Sequence, residues 1–334
     1  ATVAVIWRGG LRVDSGAISQ GQVIALVNYM SQILVELVKM ANLIILISKA
    51  KACMNRVDSV FRVTSSMEDG KERLSSQEME ESESPAVRFE DVSFTFAGSK
   101  EPVLEKISFE AKAGETIGII GGTGSGKTAL VNLIPRFYDV NQGQVTVFGK
   151  NVKNFEMKEL RSMVGVVPQR AVLFAGTLRD NMRWAKEDAT DQEIYRALEI
   201  AQAKDFVDEK GEGLDLVIEQ EGKNLSGGQR QRLTIARALT GNPRILILDD
   251  SASALDFATD ARLRKALRHS TEGMTVFIVS QRAASIKQAD RILVLDDGKL
   301  AGQGTHKELL KNCSLYREIC LSQLTREEVE RDEQ

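Results

Sequence analysis

The stretch "GGTGSGKT" at 121–128 joins backbone freedom to one cation and one hydroxyl. It fits G-x-x-x-x-G-K-[ST], a loop whose backbone N–H groups wrap phosphates. Gly121, Gly122, Thr123, Gly124, Ser125 and Gly126 would form the wrap. Lys127 would reach the β- and γ-phosphates, and Thr128 would ligate Mg2+. A second stretch, "RILILDD" at 244–250, ends an aliphatic run on two carboxylates. Asp249, at the carboxyl end of a buried strand, would hold Mg2+ through water. An aliphatic strand ending in Asp is common by itself and gains meaning beside the phosphate loop. A third stretch, "LSGGQRQRLTIARAL" at 225–239, has two glycines opening a helix whose N-terminus can face a phosphate.

These residues need a frame. "TIGII", "RILILDD", "TVFIVS" and "RILVLDDG" are short aliphatic runs, the pattern of strands buried on both faces. "VRFEDVSFTF" and "ISFEAKAGE" alternate apolar and polar residues, as half-exposed antiparallel strands do. Helical stretches lie between them, among them 190–206, where Thr190 and Glu193 form a capping box. Alternating strands and helices predict an α/β domain with a largely parallel sheet. It begins near Ala86. The Glu- and Ser-rich segment 66–85 has little to bury and reads as a solvated, partly helical linker. The charged segment 322–334 reads as a frayed tail.

Residues 1–60 differ. Of the 25 residues at 23–47, 19 are apolar, a length able to cross roughly 30 Å of hydrocarbon as a helix. Asn28, Gln32, Glu36, Lys39 and Asn42 interrupt the run at intervals that form one stripe on a helix. This fits an amphipathic surface helix, or a membrane helix whose stripe faces a water-filled pathway or partner helices. Lys49, Lys51, Arg56 and Arg62 follow the run, whereas Arg8, Arg12 and Asp14 precede it. The positive-inside rule then places its C-terminal end in the cytoplasm. A chain opening in mid-hydrophobic run reads as a piece of a longer one. The net charge of -3 argues against a nucleic-acid binder driven by bulk basic charge. Cys53, Cys313 and Cys320 have no metal spacing and make a poor disulfide framework.

The phosphate loop, the signature-like "LSGGQ" and the aspartates after it, in this order, resemble the ATPase domain of an ABC exporter. The likeness runs from about Ala86 to Leu321. The resemblance implies a P-loop NTPase fold with an antiparallel β subdomain and a helical subdomain, preceded by transmembrane helix. Residues 1–60 then correspond to the end of the fifth transmembrane helix and the sixth. ATP and Mg2+ are the implied ligands. Phe96 takes the place of an aromatic that stacks on adenine. Gln169, in "VVPQ", takes the place of a residue that contacts Mg2+ and couples to the membrane helices. "LFAGTLRDN" (173–181) would touch intracellular loops. Ser226, Gly227, Gly228 and Gln229 would meet the ATP held on a partner subunit. "SALD" (253–256) would communicate between two sites. The resemblance also implies an inner-membrane protein with its ATP-binding domain in the cytoplasm, dealing with lipid and a small-molecule or drug-like cargo.

Two positions depart from the family pattern. The residue after the Mg2+ aspartate is normally a Glu acting as general base; here it is Asp250. It is shorter by one methylene, and a misplacement of about 1 Å can cost on the order of 10²-fold in rate. A His normally follows the strand "TVFIVS"; here it is Gln281, which cannot become a cation or shuttle a proton. His269 lies at the opposite end of that strand, roughly 20 Å away at about 3.3 Å per residue. His306 falls after a later hairpin. Glu219 and Gln220, before the signature, also differ from the usual Gly-Glu. Both losses strike one step at one ATP and resemble the degenerate-site subunit of a heterodimeric multidrug exporter. Two other readings stay open at this point: a homodimeric exporter with slow ATPase, and a soluble or regulatory ABC-type ATPase.

Overall fold

The computed structural model describes all residues except 66, 76–77, 80–81, 252–253, 271–272 and 334, together with the side chains at 269, 270 and 333. The chain divides into two compact units, Ala1–Ser66 and Met67–Gln334.

The first unit is a helical hairpin, α1 (Thr2–Asp14) and α2 (Gln20–Phe61). Gly9 is buried where the two meet; a Cβ there would lie 2.8 Å from Val23 Cγ1. Ser19 caps α2 in a capping box with Gln22. The apolar run at 23–47 is only the first part of this helix. No Gly or Pro follows until after Phe61, so nothing breaks the backbone and the helix continues for 42 residues. That is about 63 Å at 1.5 Å per residue, longer than a hydrocarbon core. None of its residues is buried within the unit. It is, among the described residues, the one helix long and apolar enough to cross a membrane. Within the polar stripe, Glu36 and Lys39 form an ion pair at 2.8 Å.

The second unit has two main sheets. The strands, in chain order, are β1 Val87–Phe94, β2 Leu104–Ala111, β3 Thr116–Gly121, β4 Gln142–Val147, β5 Lys150–Asn151, β6 Val164–Val167, β7 Gly176–Thr177, β8 Val217–Ile218, β9 Ile245–Asp249, β10 Thr275–Val279, β11 Arg291–Asp296 and β12 Lys299–Gly304. An antiparallel sheet runs β2-β1-β4-β5, and a six-stranded sheet runs β12-β11-β3-β10-β9-β6. In the latter β6, β9, β10, β3 and β11 are parallel, with β12 antiparallel at the edge. Successive side chains of a strand point to opposite faces, and the parallel strands are buried on both. Ile117, Ile119, Ile245, Ile247, Phe277, Val279, Leu293 and Leu295 join the core shared with the antiparallel sheet. Ile120, Leu246, Leu248, Val276, Ile278, Ile292 and Val294 join the core under the helices. Helices Asp191–Ile200, Lys204–Lys210 and Gly227–Thr240 make the helical subdomain. Thr190 and Glu193 form the expected capping box. This is the α/β fold that the strand and helix pattern predicts.

Two segments depart from their composition. Residues 69–74 are tethered although most of them stay exposed: the N–H groups of Lys71 and Glu72 both donate to Asn154 O at 2.9 Å, and Leu74 is buried. The backbone edge at 154–156 holds them together with side-chain contacts, among them Arg73 with Glu156 at 2.6 Å and Asp69 Oδ1 with Met157 N–H at 2.7 Å. The charged tail is also ordered. Thr325 and Glu328 cap each other at the start of helix Arg326–Glu333, and Val329 is buried.

Candidate nucleotide-binding site

The order of the six-stranded sheet brings the carboxyl ends of β3, β10 and β9 side by side, where α/β sheets place ligands. From β3 the chain enters the phosphate loop and then helix Lys127–Asn132. Gly126 sits at φ 93°, in the left-handed region that favours glycine. A Cβ there would stand 2.8 Å from both Leu104 Cδ2 and Val103 O. At Gly121 a Cβ would lie 2.2 Å from Leu295 O. Gly122 and Gly124, by contrast, face open space, so their backbone is accessible to a ligand. Lys127 is buried, and its ammonium donates to Gly121 O at 3.0 Å, Gly122 O at 2.6 Å and Ser125 Oγ at 3.3 Å. Burial lowers its pKa, against the pull of Asp250 and Asp249. Thr123 is exposed on the outside of the loop.

From β9 come the two carboxylates. Asp249 is buried and accepts from Thr128 Oγ1 at 3.2 Å. Burial raises its pKa, opposed by that hydroxyl. Asp250 leaves the strand at φ 45°, a conformation Asp tolerates better than most residues, and its N–H donates to Val279 O at 3.0 Å. Its carboxylate accepts from Gln169 Nε2 at 3.1 Å. Burial raises its pKa, with the Arg282 and Lys127 charges pulling the other way. Thr128, Asp249 and Gln169 offer hard oxygen donors of the kind Mg2+ takes with water and phosphate. Among the described residues no cluster of three or more His, Cys, Asp or Glu forms a protein-only metal cage. The hard oxygens of Thr128, Asp249 and Gln169 fit Mg2+ arriving with a nucleotide, whose phosphates and water would complete its coordination.

After β10, Gln281 is exposed, and its backbone carbonyl accepts from Gln323 Nε2 at 2.8 Å. Arg282 lies over the Phe257 ring at 5.2 Å. His306 is engaged elsewhere: its Nδ1 meets Tyr316 OH at 2.7 Å and its Nε2 meets Asp332 at 3.4 Å; the side chain of His269 lies outside the described residues. Phe96 is partly exposed, edge-on to Phe94 at 4.8 Å and to Tyr138 at 5.2 Å.

Ser226, Gly227, Gly228 and Gln229 stand on a different element, the exposed start of helix Gly227–Thr240. Ser226 Oγ accepts from Gln229 N–H at 3.2 Å, and Gln229 Oε1 accepts from Ser226 N–H at 2.9 Å. The turn packs on the loop after β9: a Cβ on Gly228 would lie 3.3 Å from Ala254 O. Of "SALD", residue 253 lies outside the described residues; Asp256 accepts from Thr259 N–H at 2.9 Å and starts the next helix. Sequence reasoning missed Arg282 and Gln323. Arg282 had a signal in its place beside Gln281; Gln323, 42 residues away, had none.

Comparison with known proteins agrees with this geometry. The ABC transporter family model matches residues 104–253. An uncharacterized ABC transporter ATP-binding protein of Mycobacterium tuberculosis is 40% identical over 97% of this chain and 55% of its own length. The ATP-dependent lipid A-core flippase of Desulfotalea psychrophila is 36% identical over 93% of this chain and 53% of its own. YheI of Bacillus subtilis, a "probable multidrug resistance ABC transporter ATP-binding/permease protein", is 36% identical over 93% and 52%. The structure of a bacterial Atm1-family ABC exporter with ATP bound matches at TM-score 0.75 and 30% identity, over 92% of this chain and 53% of that one. The chain thus spans about half the length of the curated relatives it matches. With the sheet order, the phosphate loop and these likenesses in agreement, the chain belongs to the ABC transporter family and carries its ATP-binding domain.

Proposed function

We propose that this chain is the ATP-binding and permease half of a heterodimeric exporter, and that its own site binds ATP but turns it over poorly. The observation that carries the reading is the pair Asp250 and Gln281. Asp250 is a shortened base already accepting from Gln169, and Gln281 supplies no imidazole.

In this reading the backbone of 121–126 cradles the phosphates, Lys127 leaves its loop carbonyls for the β- and γ-phosphates, and Phe96 stacks on adenine. Thr128, Gln169 and Asp249 hold Mg2+, which when bound neutralises phosphate charge. Asp250 orients water weakly because its carboxylate is recessed. Gln281 can hydrogen-bond the γ-phosphate but carries no charge to it. Ser226–Gln229 complete a competent site on a second subunit bearing Glu and His at the matching positions. Alternating access of the membrane cavity follows ATP binding here and hydrolysis there. Helix α2 spans the inner membrane with its basic end in the cytoplasm, and its polar stripe lines a pathway for a small-molecule or drug-like cargo. The stacked, solvent-facing pair Phe174 and Trp184, with ring centroids at 4.3 Å, supports docking of membrane-domain loops near 173–181.

Steady-state ATPase of the purified full-length protein tests this reading. The expected result is stoichiometric ATP binding with little turnover by this chain alone. Fast hydrolysis by both sites of a homodimer would favour the homodimeric alternative.

A further inference from the structure

We propose that Gln323 is a positioning residue for the γ-phosphate side of the site, through a two-point hold on the backbone that flanks Arg282. The inference rests on the reading that the Lys127 site holds ATP. Gln323 Nε2 donates to Gln281 O at 2.8 Å, and Gln323 Oε1 accepts from Ala283 N–H at 2.9 Å. One side-chain amide thus engages both sides of a single residue, much as a neighbouring strand would. This fixes the peptide planes that aim Gln281 and Arg282.

The hold has a firm base. Gln323 ends helix Ser314–Gln323, whose Tyr316 and Cys320 are fully buried. The segment it grips is short, lying between β10 and helix Ala283–Ile286. Arg282 N–H also donates to Ser280 Oγ at 3.0 Å. On its far side Arg264 donates to Ala284 O at 3.0 Å and Ser285 O at 3.2 Å. Arg264 also pairs with the buried Asp260 at 3.0 Å. The segment after β10 is therefore held by helix Ser314–Gln323 on one side and by the helix that follows the aspartates on the other. Arg282, within the grip, acts electrostatically on Asp250. Releasing Gln323 leaves the Arg264 anchor in place and frees the end nearest the phosphates.

The γ-phosphate distinguishes ATP from ADP, so positioning and bulk stability give different readouts. The affinities of ATP and ADP are measured on the full-length protein in lipid nanodiscs, with melting temperature alongside. Gln323→Leu should weaken ATP about 3- to 10-fold, the scale of one or two ordinary hydrogen bonds, and leave ADP within about twofold on the same scale. Gln323→Glu keeps the acceptor for Ala283 N–H but sets a carboxylate oxygen against Gln281 O, so it too should weaken ATP more than ADP. It also decides the matter if Gln323→Leu does not fold. Equal losses for ATP and ADP, or no loss for either, would overturn the inference. Lys127→Ala separates this from the underlying reading: if it binds both nucleotides normally, the site assignment itself has failed.

Discussion

Two carboxylates stand at the end of β9, and their surroundings differ. Asp249 accepts from Thr128 and is buried; Asp250 turns out of the strand toward Gln169. Burial raises the pKa of both. A raised carboxyl favours the folded state fully below the ordinary carboxylate range, and that contribution is lost as pH rises through the raised value. At neutral pH the ionised form therefore costs stability. Asp249→Asn should melt higher than the parent at neutral pH without nucleotide, and the difference should vanish in acid. Thermal melts across pH check this; an unchanged gain at every pH would contradict it. The same residues show how far a sequence reaches. The loop 121–128 and both aspartates were legible because their chemistry sits in contiguous words. The Gln169–Asp250 bond joins residues 81 apart and depends on β6 and β9 being neighbours.

At the scale of elements, the phosphate loop is shaped by what crowds it. Gly126 is at positive φ and has no room for a Cβ beside Leu104 and Val103. Gly126→Ala should cost about 1–3 kcal/mol through backbone strain and displace Lys127, lowering both melting temperature and nucleotide affinity. Gly122→Ala, which faces open space, should leave stability within about 0.5 kcal/mol and weaken nucleotide binding alone. Calorimetry with nucleotide titration separates the two. The buried strands were readable because an aliphatic run bounded by polar residues has few alternatives. The segments at 69–74 and 326–333 were not. Their order comes from single buried residues, Leu74 and Val329, and from partners far along the chain: Asn154 for the first, and His306 and Lys287, paired with Asp332, for the second. Charge content alone carries no trace of such anchors.

For the whole molecule, the long exposed helix α2 and the α/β unit make different demands on solvent. Large side chains such as Leu34, Leu43 and Leu46 are more than half exposed along α2, an apolar surface that lipid or partner helices would cover. The full-length protein should stay with membranes through alkaline high-salt washing and need detergent for release; release by salt alone would contradict membrane insertion. ATP turnover by the full-length Asp250→Glu/Gln281→His variant tests whether the pair Asp250 and Gln281 is what slows this site. The parent chain alone should hydrolyse little ATP, and the double variant should gain about 10²-fold or more, the scale on which a recessed group costs rate, with ATP affinity unchanged. Rapid hydrolysis by the parent, or a double variant that binds ATP and remains as slow as the parent, would contradict it.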